Sequence, residues 1–300
     1  MSKTLITSGK RKQIVRLLKD GLDKVALDDS GAQRLIERGD ELQEGLKELL
    51  ERLSVTDQVA DEEVESSYGC PSGYKFHPTL EENLADLERE LKMIRRMFPE
   101  LANADIDRSV LERIKAQDLT LPTGAERWTL IPRWEKIAST YNEAVEKVIE
   151  LIAASRKFIN YRAGKLGPDH LRQHTRKVDM FQTLGEQQKG HDILVVPAQF
   201  GLRHRGRSIR RAHEVFVANE CGLGAFAVGC MLLTHPERLQ HYDDLWIDCA
   251  GDEFYDPGSD VRFVRAPCFR FRGGELKFDA DCVGVARGGY GSASGLVPQE

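Results

Sequence analysis

Apolar residues recur at intervals of three and four through the first half of the chain, and that rhythm stops near residue 165. Such spacing builds the single apolar stripe of an amphipathic helix, whereas strands show alternation or short unbroken runs. Ile14, Leu17, Leu18, Leu22 and Val25 form one stripe. After "DDSG", with Ser30 as a cap, Leu35, Ile36, Leu42, Leu46, Leu49, Leu50 and Leu53 form a second, so a helical hairpin is expected. Residues 54–78, which include "YGCPSGYKFHP", hold no sustained period and read as an irregular loop. Thr79 and Glu82 then make a capping box ahead of Leu84, Leu87, Leu91, Ile94 and Phe98. A shorter helix is expected over 109–117, and a long one from Pro132 carrying Trp134, Ile137, Tyr141, Val145, Val148 and Ile152 on one face.

After Gly167 one more helix, over about 168–184, gives way to short apolar runs broken by glycine, proline and aspartate. "DILVVP" and "DLWIDCA" read as strands, and "CFRFRGGELKF" as a hairpin. With Gly273 and Gly274 in the turn, Phe271 faces Leu276 and Phe269 faces Phe278, which leaves Arg270 and Lys277 on the other face. The tail "VARGGYGSASGLVP" reads as irregular. The expectation is an α+β protein: an all-helical, bundle-like domain over 1–164, then a mixed domain over 165–300 with a small, at least partly antiparallel sheet.

The net charge of −5 excludes a surface that binds nucleic acid or an anionic membrane everywhere, so any such binding is local. No apolar segment reaches the roughly 20 residues of a membrane helix; "GLGAFAVGCMLL" comes nearest. The first twenty residues lack the unbroken apolar stretch of a secretory signal. The six cysteines have no zinc-ligand spacing and read as reduced thiols, so a cytoplasmic location with no membrane is expected.

"DILVVPAQFGLRHRGRSIRRAHEVF" concentrates arginine between an apolar run and an amphipathic one. Read as strand, loop and helix, it sets Arg203, His204, Arg205 and Arg207 just ahead of a helix capped by Ser208. The free N–H groups and dipole of such a terminus favour anions, and Gly201 and Gly206 permit close approach. That points to phosphate, in a nucleic acid or a phosphorylated ligand; pairing of the same arginines with the chain's own carboxylates is the competing reading.

"LWIDCAGDEF" groups Asp248, Asp252 and Glu253 at a strand end. Oxygen ligands so placed can hold magnesium, although the acids equally suit a polar turn. His170 and His174 stand four apart on the expected helix, a spacing that could bring both to one metal ion, but "HLRQH" lacks the glutamate of a zinc-protease motif. No nucleophile elbow surrounds Ser292 or Ser294.

The segments "IPRWEKIA", "DILVVPAQFGLRHRGRSIRRA", "GAFAVGCMLLTHPERL", "LWIDCAGDEF" and "GSASGLVPQ" resemble those of an uncharacterised family of hypothetical bacterial proteins from candidate-phylum genomes. The resemblance runs from about Trp134 to the end and implies no activity or site. Three functions remain on the residues: a non-enzymatic binding or scaffold protein using the arginine loop, a metal-dependent phosphoester hydrolase using the three acids as ligands, with magnesium the candidate ion, and a structural protein of a viral or mobile-element assembly. In the first and third, the helical half would provide a surface for a second copy or a protein partner.

Overall fold

The computed structural model describes residues 8–22, 24–25, 27–54, 58–259 and 261–298. The chain divides into two compact units, Met1–Ser54 and Val55–Glu300, so Gly164 lies inside the second. The first unit holds α1 (Ser8–Leu22), α2 (Asp29–Glu37) and α3 (Gly39–Ser54). Asp28, rather than Ser30, caps α2: its carboxylate accepts from Gly31 N at 2.7 Å. Residues 55–57 of the expected loop lie outside the described residues.

The second unit begins with α4 (Leu80–Met97), α5 (Arg108–Lys115), β1 (Arg127–Pro132), α6 (Tyr141–Ser155), β2 (Phe158–Asn160), β3 (Leu171–Gln173) and α7 (Thr175–Gln187). It continues with β4 (Ile193–Arg205), α8 (Ile209–Val215), β5 (Glu220–Gly222), α9 (Ala225–Thr234), β6 (Trp246–Asp248), β7 (Asp252–Phe254), β8 (Arg265–Phe271), β9 (Leu276–Cys282) and β10 (Tyr290–Leu296). The strands form one ten-stranded sheet with a main path β1-β4-β10-β6-β8-β7-β3, with β5 beside β10 and β2 beside β9. Its pairs are antiparallel except β10 with β6 and β2 with β9.

This architecture overturns both an all-helical first half and a small sheet. β1 and β2 precede Gly164, yet both belong to the same sheet as the later strands. All six residues of β1 are buried, and it pairs with β4 from Arg127↔Ala198 to Pro132↔Ile193. A strand buried on both faces need show no clean alternation, so nothing marks 127–132 as a strand in the sequence. The helix expected from Pro132 starts instead at Tyr141, where Thr140 and Glu143 form a capping box.

β10 departs furthest from its local propensity. The sequence "YGSASGL" reads as irregular, yet every residue of this strand is buried and β4, β5 and β6 all pair with it. Small side chains are what the position requires. A Cβ on Gly291 would stand 2.1 Å from the Gly201 carbonyl oxygen, and one on Gly295 only 3.1 Å from Leu223 and Met180. The β10–β4 register shifts between Gly291 and Ala293, a bulge that bends β4 just where "GLRHR" reads as a loop.

The hairpin of β8 and β9 has the expected register, with Phe269 opposite Phe278 and Phe271 opposite Leu276. Gly273 and Gly274 take φ of 71° and 79°, as a type I′ turn demands. At the centre of the main apolar cluster lies α9, buried along its whole length and touching α6, α4 and β1. No helix among the described residues is long and apolar enough to cross a membrane. α4 is tied to α9 by charge: buried Glu90 accepts from Thr129 Oγ1 at 2.9 Å, from Leu130 N at 2.7 Å and faces His235 Nε2 at 2.9 Å. Burial alone would lower the His235 pKa, but its bonds to Glu237 and Glu90 outweigh that and raise it. A smaller apolar cluster, Ile209, Ala212, Phe216, Ala250 and Ala266, seats α8.

Candidate functional site

The arginine segment meets carboxylates of its own chain. Arg203 and Arg205 sit on β4 rather than in a loop. Arg203 Nε lies 3.4 Å from Glu220 Oε1, Arg207 Nε lies 3.2 Å from Glu63 Oε1, and Arg205 donates to the Tyr68 carbonyl at 2.9 Å. Ser208 does cap α8, accepting from Arg211 N at 3.0 Å, but its own N–H donates to the Glu62 carbonyl and its hydroxyl to the Glu62 carboxylate. The anion at this seven-residue helix is therefore Glu62, which also pairs with Arg210.

His204 is fully buried, with Nε2 2.8 Å from Glu220 Oε1. Burial lowers its pKa despite that bond, while hydrogen bonds and nearby arginine hold Glu220 below its usual value against its own burial. A neutral imidazole donating from Nε2 to a carboxylate satisfies both, leaving Nδ1 to accept from Arg207 Nη1 at 3.3 Å. Ser294 Oγ donates to the same Glu220 oxygen at 2.6 Å, and Val217 N to the other at 3.3 Å.

The three acids go to three places. Asp248 on β6 is buried beside its strand partners Cys268 and Ser292, and burial together with Asp281 pushes its pKa up to about 8 against the opposing pull of Arg287. Asp252 and Glu253, successive on β7, point to opposite faces. Glu253 Oε2 pairs with Arg172 Nε at 2.6 Å, whereas Asp252 enters the core. Among the described residues no group of three or more His, Cys, Asp or Glu is arranged to hold a metal ion. His170 and His174 lose their helical spacing because Leu171–Gln173 is a strand. His170 stacks on Phe254 and Tyr255, while His174 caps α7 and its ring lies 4.8 Å from that of His213.

Asp252 instead completes a buried network under a pocket the sequence does not announce. Its Oδ2 accepts from Ala225 N at 2.7 Å, at the start of α9, and from Tyr141 Oη at 2.7 Å. Lys177 Nζ donates to Asp252 Oδ1 at 2.5 Å and to Tyr141 Oη at 2.9 Å. A carboxylate at a helix N-terminus meets the positive end of the dipole, and the ammonium balances its charge. Burial drives the Lys177 pKa down and, with Asp252 adding to it, the Tyr141 pKa well up. Gly224 makes the space: a Cβ there would stand within 2.5 Å of Asp252 Oδ1, Lys177 Nζ and Tyr141 Oη.

Lys177 and Tyr141 line one end of a cavity of about 260 Å³ between the end of β1, α7 and the first turn of α9. Its walls are mainly apolar, with Trp134, Phe181, Phe226 and Leu194 among them. The Trp134 and Tyr141 rings meet edge to face at 5.9 Å. Arg133 also lines it. The buried Nε of Arg133 has no hydrogen-bond partner, and among the described residues no ion pair reaches its guanidinium. That guanidinium lies over Gly185 of α7, where a Cβ would come 2.2 Å from Nη2 and 2.9 Å from Cζ. Comparison with known proteins adds no neighbour: no family model, curated protein or solved structure matches the chain.

Proposed function

We propose that this chain is a binding protein for a small, largely apolar molecule carrying one anionic group, held in the pocket bounded by Trp134, Phe181 and Phe226 with Arg133 as the partner of the anion. The observation that carries this reading is Arg133 itself. A buried guanidinium nitrogen without an acceptor is costly, and in an apolar cavity a carboxylate of the ligand supplies the missing partner bidentately. The cavity is slightly smaller than the ~300–1,000 Å³ of pockets for drug-sized ligands, which suits an aromatic or branched carboxylic acid. Arg203 and Arg207, by contrast, already face Glu220 and Glu63.

Calorimetric titration with 2-naphthoate and with its neutral amide tests the assignment. Naphthoate is expected to bind and the amide to bind more weakly. Arg133→Gln should weaken naphthoate by about tenfold to a hundredfold, the equivalent of a charge-assisted hydrogen bond worth ~1.5–3 kcal/mol. Gly185→Ala, which displaces the guanidinium without removing its charge, should do the same. Equal affinity of wild type and Arg133→Gln, or of acid and amide, defeats the reading.

A further inference from the structure

We infer that the N-terminal helices are a self-association module, in which α1 of one copy lies along α3 of a second copy and the contact is repeated by symmetry. The inference is independent of the pocket. Within the unit only Gly31 is buried among the residues whose burial is described, and α1 leaves Val15 51%, Leu17 66% and Leu22 57% exposed. On α3, Leu42 and Leu50 are 48% and 38% exposed, and Leu42, Leu46, Leu49 and Leu53 keep the four-three-four spacing of a helix-packing seam. Among the residues whose burial is described, these helices close no core of their own.

Charge identifies the occupant. α1 has five basic residues, Lys10, Arg11, Lys12, Arg16 and Lys19, against the single acid Asp20. α3 has five acids, Asp40, Glu41, Glu44, Glu48 and Glu51, against Lys47 and Arg52, and its Glu41 also pairs with Arg38 at the helix start. Two identical α1 helices would repel each other, as would two α3 helices, but α1 against α3 joins opposite charge beside an apolar stripe. Because every copy carries one of each, a twofold axis satisfies both faces at once and closes the assembly as a dimer.

Sedimentation equilibrium of the full chain should give twice 33.8 kDa, weakening as salt rises. A chain with Lys12→Glu and Lys19→Glu should be monomeric, because its α1 loses its excess of positive charge, and so should one with Glu41→Lys and Glu44→Lys, whose α3 then carries more bases than acids. Mixing these two variants should restore a dimer containing one of each, because the unaltered α1 of one then meets the unaltered α3 of the other. That outcome cannot arise from misfolding of either variant. A wild type that stays monomeric to high concentration, reversed chains that still dimerise alone, or a mixture that stays monomeric would each overturn the inference. So would a monomer whose α1 amides are protected from hydrogen exchange, which would place α1 against its own chain.

Discussion

Lys177, Tyr141 and Asp252 each bury a group that the protein interior penalises, and each makes the other two tolerable. The ammonium and carboxylate are 4% and 0% exposed and stand 2.5 Å apart. Truncating one partner leaves an uncompensated buried charge, so Lys177→Met is expected to lower unfolding free energy by roughly 3–5 kcal/mol. Tyr141→Phe keeps the ion pair and loses only hydrogen bonds, at about 1 kcal/mol. Urea unfolding with an unchanged slope checks both, and a Lys177→Met protein within 1 kcal/mol of wild type would refute the account. In the sequence, Asp252 stands out as an acid that could bind a metal, but Lys177 lies 75 residues away with nothing to connect them. Arg133 is equally silent there, because an arginine without a partner is a fact about its surroundings.

At the scale of elements, close approach is set by glycine. Gly229 of α9 faces α6, where a Cβ would come 2.3 Å from Val148 Cγ1. Alanine is the better helix former by up to about 1 kcal/mol, yet Val148 is fully buried and has little room to move. Gly229→Ala is therefore expected to destabilise by about 1–3 kcal/mol, the usual cost of overpacking. Thermal unfolding decides the sign, and a stabilised variant would show that the two helices can shift apart. The capping box of α4 illustrates what was legible: it is local, and it is formed, whereas Pro132 reads as the helix start in place of the box of Thr140 and Glu143 that begins α6. β1 and β10 were not legible, since one carries no alternation and the other is made of residues that usually mark loops.

Across the whole molecule, two buried acids held protonated by their surroundings make a distinct contribution to the pH response. Asp248 keeps its proton up to about pH 8, and Glu126, buried although it accepts from Phe200 N and Leu202 N, keeps its proton up to about 7. The unfolded chain releases these protons near the ordinary values of 3.8 and 4.5. Between those limits the unfolded state binds fewer protons than the folded one, so this contribution to stability is full below about pH 4 and is lost as pH rises to about 8. Asp248→Asn removes a titration while keeping the shape, and should flatten that fall, raising the melting temperature relative to wild type more at pH 8 than at pH 5. An equal shift at both pH values would mean that Asp248 is ionised in the folded protein throughout.

What the sequence determined alone is whatever depends on neighbours within a turn or two. It set the capping box of α4, the Ser208 cap of α8, the glycine turn and phenylalanine register of the β8–β9 hairpin, and the opposite charges of α1 and α3. The tertiary structure decided the rest. It drew β1 from the helical half into a ten-stranded sheet, put a glycine- and serine-rich tail inside it, gave Arg203 to Glu220 and Arg207 to Glu63, and left Arg133 Nε without an acceptor among the described residues in a mainly apolar pocket. The physical reason is range. Periodicity and capping act over a few residues, whereas a charge is useful or already satisfied according to which distant segment the fold brings against it.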